Sequence, residues 1–115
     1  MDILSKDNCT EHYQWGDNCH GWTLVAEPSF SVKLERMPAH TAEAMHYHEH
    51  AQQFFFILKG EALFEIDNER VAVPAQKGIH IRPGAKHRIL NETGGDLEFI
   101  LSSQPSTTGD RINCG

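Results

Sequence analysis

A chain of 115 residues and 13.0 kDa has room for one hydrophobic core and one domain. Hydrophobic residues make up 39 % and charged residues 23 %, which excludes a disordered chain, and the net charge of −6 excludes a protein that grips nucleic acid or an anionic membrane through a basic stripe. The eight histidines are the unusual feature of the composition, and their positions carry the argument.

Residues 1–18 are polar and poorly patterned, with no apolar run of the kind a secretory leader needs. Tyr13 and Trp15 within them are expected to dock on a barrel or a partner. Cys9, Cys19 and Cys114 are odd in number and form no Cys-x-x-Cys pair, so reduced thiols in a cytosol are expected rather than a disulfide framework. Residues 30–37 alternate with period two, Phe30, Val32 and Leu34 against Ser31, Lys33 and Glu35, which predicts a half-buried strand. Further strands are predicted over 43–48, 53–59, 62–66, 70–73, 79–82, 87–90 and 97–101. Gly60, Asp67-Asn68, Pro74, Pro83-Gly84 and Thr93-Gly94-Gly95-Asp96 punctuate them. Short strands and turns at this spacing, with no stretch of helical period, predict an all-β sandwich or barrel over residues 21–102. Residues 1–20 are expected to pack on that barrel or on a partner, and 103–115 to form a tail.

In the segment from Ala42 to His48 the period places His46 and His48 on one face, preceded there by Ala42 and Ala44. The next strand is apolar on both faces, Phe55 and Ile57 on one, Phe54, Phe56 and Leu58 on the other. Each face needs a cover: the N-terminal segment, a second sheet or another subunit. A homodimer is therefore expected. The longest apolar run, Phe54 to Leu58, is too short to cross a bilayer.

His46-x-His48 is followed by Gln53 and Gly60, and much later by Pro83, Gly84, His87 and Asn91. In this order they resemble the two motifs of the cupin family, Gly-x5-His-x-His-x3-4-Glu-x6-Gly and Gly-x5-Pro-x-Gly-x2-His-x3-Asn, with Pro83 directly before Gly84 where the second motif has one residue between. Three positions depart: His40 and Lys77 stand at the leading glycines, with Gly78 following to serve the second turn, and Gln53 replaces the acidic ligand. The resemblance, over roughly 22–101, implies a conical double-stranded β-helix, a jelly-roll barrel with a metal inside. It implies His46, His48 and His87 as ligands, with Gln53 as the fourth or as a supporting group; Gln52 is the alternative by one residue. Three imidazoles and an amide accept Fe, Mn, Ni, Cu or Zn, leave positions open, and carry no negative charge. Phe55, Ile57, Phe64 and Asn91 are candidates for the pocket lining, Asn91 alternatively for a structural role. His40 and His50 read as exposed loop residues, and His80 is left unassigned.

The function this implies is a small metal-binding cupin that acts on a small polar metabolite. With no carboxylate at position 53 to serve as a base, dioxygenase-like oxidation is the first expectation. A non-catalytic sugar-like binding module and a sugar-phosphate isomerase-like enzyme are the alternatives.

Overall fold

The computed structural model describes residues 1–114. Among the described residues there is no helix. The strands are β1 (Glu11–Trp15), β2 (Cys19–Glu27), β3 (Phe30–Met37), β4 (Thr41–Ala42), β5 (His46–His48), β6 (Gln52–Lys59), β7 (Glu61–Ile66), β8 (Glu69–Pro74), β9 (Gly78–Ile81), β10 (His87–Asn91), β11 (Leu97–Gln104) and β12 (Arg111–Asn113). They form two antiparallel sheets, β1-β2-β3-β11-β6-β9 and β12-β5-β10-β7-β8, with β4 paired to β10 beside the second. The inner faces meet at a core of Met37, Phe55, Ile57, Phe64, Ile89, Leu97 and Phe99, each at most 3 % exposed. Phe55 of the first sheet meets Phe64 of the second edge-on, with ring centroids 5.1 Å apart.

The alternation of β6 is as expected. Phe55 and Ile57 face inward, while Phe54 and Leu58 remain 44 % and 36 % exposed on the outer face. The N-terminal segment does not cover that face. Its strand β1 pairs with β2 and so lengthens the sheet at the edge far from β6. The expected continuation of strand through 43–45 is broken, and the phase changes there, so Ala42 and Ala44 are exposed and do not share the inner face of His46 and His48. β3 also corrects its pattern. Ser31, Glu35 and Met37 are buried, whereas Phe30 is 43 % exposed, so the polar side of β3 looks into the barrel. Within the expected tail, β12 pairs with β5, Arg111 opposite His48 and Asn113 opposite His46, and Gly115 lies outside the described residues.

Two motif positions have a backbone cause. Gly60 has φ +87°, and a Cβ there would lie 2.8 Å from the carbonyl oxygen of Asp96. His40, at the place of the first motif glycine, has φ 58°. An L side chain in that left-handed region costs about 1–2 kcal/mol. His40→Gly is therefore expected to raise stability by about 1 kcal/mol in urea unfolding, after the extra chain entropy of glycine is offset. A loss of stability would show that the histidine side chain contributes more than its backbone costs. Gly78 does not serve the turn expected of it. It opens β9, where a Cβ would meet the Phe54 ring at 2.4 Å and the Phe55 carbonyl at 2.8 Å, while Gln76 takes the positive φ of the preceding turn.

Candidate metal centre

β5 and β10 are neighbours in the second sheet, and His46 lies directly opposite His87. Period two then brings His48 to the same inward side. The ring centroids of His46 and His87 are 4.3 Å apart, those of His46 and His48 5.0 Å, and those of His48 and His87 5.8 Å. One ring nitrogen from each lies within 4.8 Å of the others, and all three side chains are buried.

The backbone aims these rings. His46 Nδ1–H donates to the Ala44 carbonyl at 2.9 Å, and His87 Nδ1–H donates to the Ala85 carbonyl at 2.8 Å. A proton held on Nδ1 leaves the Nε2 lone pair free toward the interior, the arrangement that metal-binding imidazoles use. The Ala85 carbonyl is itself placed by a turn. The Ala85 amide donates to the Arg82 carbonyl at 3.3 Å, Pro83 and Gly84 occupy the corner, and Gly84 has φ +83°. The Gly84 amide then donates to the His48 carbonyl at 2.7 Å, tying the second motif to the first. On the other side of His48, the Asp110 carboxylate accepts the amides of Glu49 at 3.0 Å, His50 at 3.1 Å and Ala51 at 2.9 Å.

Burial lowers the proton affinity of all three imidazoles, His46 to a pKa of about 3 and His48 and His87 below the usual histidine range. They stand neutral at neutral pH, with no proton to displace before a metal can bind. Both nitrogens of His48 are buried without a hydrogen-bond partner. Gln53 lies inside as well, its Oε1 3.2 Å from His87 Nε2 while its Nε2 donates to Ser103 Oγ at 3.1 Å. A bare imidazole nitrogen and an amide oxygen at that distance are two lone pairs face to face. A cation between them relieves the repulsion, and the orphaned His48 supplies a further donor. The donor set thus fits a first-row divalent ion. Gln52 points the other way and bonds Gln104 at 2.8 Å and His80 at 2.8 Å on the outer surface.

Of the expected lining, Phe55 is on the wall of the 220 Å³ cavity above the histidines, whereas Ile57 and Phe64 belong to the packed core beneath it. Asn91 is fully buried elsewhere and knits backbone. Its amide donates to the carbonyls of Met37 at 3.0 Å, Pro38 at 3.0 Å and Gly95 at 2.8 Å. Its oxygen accepts from the Thr93 amide at 3.1 Å and the Thr93 hydroxyl at 2.7 Å. His40 and His50 are exposed.

The rest of the cavity wall was not foreseen. Tyr13, Lys33, Glu35, Glu43 and Arg111 all line it. Tyr13, Gly21 and Glu35 stand in one row across β1, β2 and β3. A Cβ on Gly21 would lie 2.1 Å from the Tyr13 ring, so the bare glycine lets that ring lie flat and pass its hydroxyl to Glu35 Oε2. Burial raises the pKa of both groups; the charge of Glu35 and the hydrogen bond to it raise Tyr13 further, whereas that same bond, Lys33 and Arg111 pull Glu35 partly back down. A glycine opposite a tyrosine on adjacent strands was the available signal.

Glu43 Oε1 lies 3.8 Å from His46 Nδ1, and Arg111 Nη1 donates to Glu43 Oε2 at 3.3 Å. Burial pushes the Glu43 carboxyl from 4.5 up to about 7, outweighing the opposing pull of Arg111. The folded form therefore binds the proton more tightly than the unfolded form. That advantage is complete below pH 4.5 and is lost as pH rises through 7. With 13 % of its side chain exposed, the ionised group costs about 3 kcal/mol at pH 8. Glu43→Gln is expected to stabilise the metal-free protein by about that much at pH 8 and by less than about 1 kcal/mol at pH 5. Equal gains at the two pH values in urea titrations would assign the effect to packing instead of charge.

A model of the cupin domain matches residues 33–103. The chain belongs to the cupin family. Among curated relatives, this cupin is 29 % identical over 69 residues to an uncharacterised protein of Methanocaldococcus jannaschii, 60 % of this chain and 55 % of that one. It is 38 % identical over 56 residues to an uncharacterised HTH-type transcriptional regulator, YdeC, of Bacillus subtilis, 49 % of this chain and 19 % of that one. The matched region thus spans about half or less of each relative's length. Solved cupin structures superpose along nearly the whole chain. A predicted oxalate decarboxylase of Thermotoga maritima has a TM-score of 0.80 at 20 % identity, over 91 % of this chain and all of that one. The nucleoside dehydratase Pac13 of Streptomyces has 0.82 at 14 %, over 99 % and 91 %. A sugar phosphate isomerase of Silicibacter pomeroyi has 0.77 at 17 %, over 91 % and 76 %. At these identities the likeness is one of fold, and the cupin fold hosts unrelated chemistries.

Proposed function

We propose that this cupin is a metal-dependent enzyme that moves a proton on a small polar substrate, with His46, His48, His87 and Gln53 as the metal-holding residues. One observation carries the reading: the Tyr13-bound carboxyl of Glu35 lines a single cavity of 220 Å³ together with His46, His48 and Gln53. A divalent ion held there supplies a Lewis acid that polarises a substrate oxygen. The chain's own residues do the rest. Tyr13 occupies Oε2 of Glu35 and fixes the carboxyl, so Oε1 is the atom that gives a proton to the substrate or takes one back. A carboxyl with a raised pKa is suited to that exchange near neutral pH. The cavity volume of 220 Å³ suits a small substrate.

The test is solvent-deuterium wash-in, followed by proton NMR, on pyruvate and 2-oxobutyrate with protein loaded in turn with Zn, Mn and Fe. Wash-in that falls about 100-fold or more in Glu35→Gln and less in Tyr13→Phe is the expected result. Wash-in unaffected by Glu35→Gln, or none with any of the three ions, overturns the reading. The second reading is dioxygenase-like oxidation, which the neutral donor set of three imidazoles and an amide favours, because it leaves positions open on a redox-active ion. Oxygen uptake by the Fe-loaded protein that is indifferent to Glu35 would select it.

The same proposal places the protein in a homodimer. Phe54 and Leu58 on the outer face of β6, and Phe30, remain 44 %, 36 % and 43 % exposed. A second copy covers them. Sedimentation at micromolar concentration is expected to give twice the chain mass, and Phe54→Lys to give the single mass with the fold retained. A wild-type monomer would remove the dimer. Three free cysteines, Cys19 buried among them, support a reducing, cytosolic setting.

A further inference from the structure

Lys33 is on the polar inner face of β3, between Thr23 of β2 and Leu101 of β11. It lines both the histidine cavity and an adjoining one of 510 Å³. Its ammonium sits 5.5 Å from the centroid of the Tyr13 ring, and among the described residues no carboxylate is within ion-pair distance of it. The other charges on the cavity wall are already engaged. Arg111 is paired with Glu43, and Glu35 is hydrogen-bonded by Tyr13. A half-buried ammonium without an ion pair thus stands on the wall shared by the two cavities, the larger of which Glu11 and Glu27 also line.

Ser31, two residues away on the same face, lines the adjoining cavity with Lys33, and its hydroxyl is buried without a partner. Unpaired buried hydroxyls are uncommon and expensive, so this one is a donor in want of an acceptor.

We propose that Lys33 and Ser31 form a carboxylate subsite, and that the substrate is a small acid whose carboxylate docks there while an oxygen at its other end reaches the histidine group. An ammonium and a hydroxyl side by side match the two oxygens of one carboxylate. The substrate class rests on the metalloenzyme reading above; the subsite does not need the ion.

The probes are malonate, its neutral isostere malonamide, and methylphosphonate. Each is titrated by calorimetry into Co(II)-loaded protein and into chelator-treated protein, with visible absorption reporting the cobalt. Malonate is expected to bind at least tenfold more tightly than malonamide. Lys33→Met is expected to lose tenfold or more of the malonate affinity while the cobalt spectrum and the malonamide affinity stay as they were. Ser31→Ala is expected to lose about threefold. Lys33→Arg keeps the charge and should stay within about threefold of wild type, which separates a lost cation from a disturbed fold. Equal malonate affinity in wild type and Lys33→Met, or malonamide binding as well as malonate, overturns the subsite. Tighter, Lys33-dependent methylphosphonate binding overturns the carboxylate assignment. If cobalt does not bind but chelator-treated protein still selects malonate through Lys33, the metalloenzyme reading fails and the subsite stands.

Discussion

Asn91→Asp, a change of one amide nitrogen to oxygen, is expected to lower the melting temperature by about 15 °C or to prevent folding. Asn91 has no exposed surface and its amide feeds three carbonyls, of Met37, Pro38 and Gly95. An aspartate of the same shape offers no proton to any of them and places a charge among acceptors. Leaving buried carbonyls unmet costs about 1–3 kcal/mol each, and about 3–5 kcal/mol in all is a large part of the 5–15 kcal/mol that holds a domain together. At about 4 °C per kcal/mol for a domain of this size, the shift follows. Asn91→Ala should cost somewhat less, since water can enter the space. Calorimetry of both variants decides it. An Asp variant as stable as wild type would mean that those carbonyls find other donors, and the last motif residue would then owe its place to something besides hydrogen bonding.

His48→Ala is expected to weaken divalent metal binding about a hundredfold or more. Four-donor metal sites in small domains are worth about 10–16 kcal/mol, or about 3 kcal/mol per donor. His48 also has no hydrogen bond to lose, because both its nitrogens are unpartnered. The metal-free variant should therefore be no less stable than the small cavity requires, a loss of about 2 kcal/mol or less. Competitive titration against a chromogenic chelator gives the affinity, and urea unfolding in excess chelator gives the stability. Unchanged affinity would remove His48 from the donor set. A collapse of the metal-free fold would make it a structural residue instead.

The sequence pattern carried the architecture and the three histidines because both depend on local spacing. Two histidines at i and i+2 share a face whatever the strand pairs with, and Pro83-Gly84 before His87 is a turn whatever surrounds it. Gln53 could not be told from Gln52 by alternation alone, because the strand is apolar on both faces and period two does not say which of them turns inward. The cavity wall was not legible for a different reason. Period two says which residues of β3 lie together, but not which side of the sheet meets water. A strand with Lys33 and Glu35 on its buried face reads as one with those residues outside. Met37, buried in phase with Ser31 and Glu35, was the only apolar clue to the true sense. The alternation over 42–48 fails because the strand breaks at 43–45, Glu43 included, which no pairing rule anticipates. Arg111 and Tyr13 arrive through β12 and β1, whose partners lie far from them or carry too little apolar pattern to announce a strand.

The clasp of Asp110 on the three amides after His48, with β12 laid along β5, gives this site a history in time. All three histidines have been synthesised by residue 87, yet the loop beside His48 is held by a side chain made 23 residues later, and Glu43 meets its counter-charge only at Arg111. During translation, a nascent chain carries a complete set of imidazoles before it carries the parts that fix and electrically balance them. Metal met early would find a loose chelate, and metal met late a rigid cage.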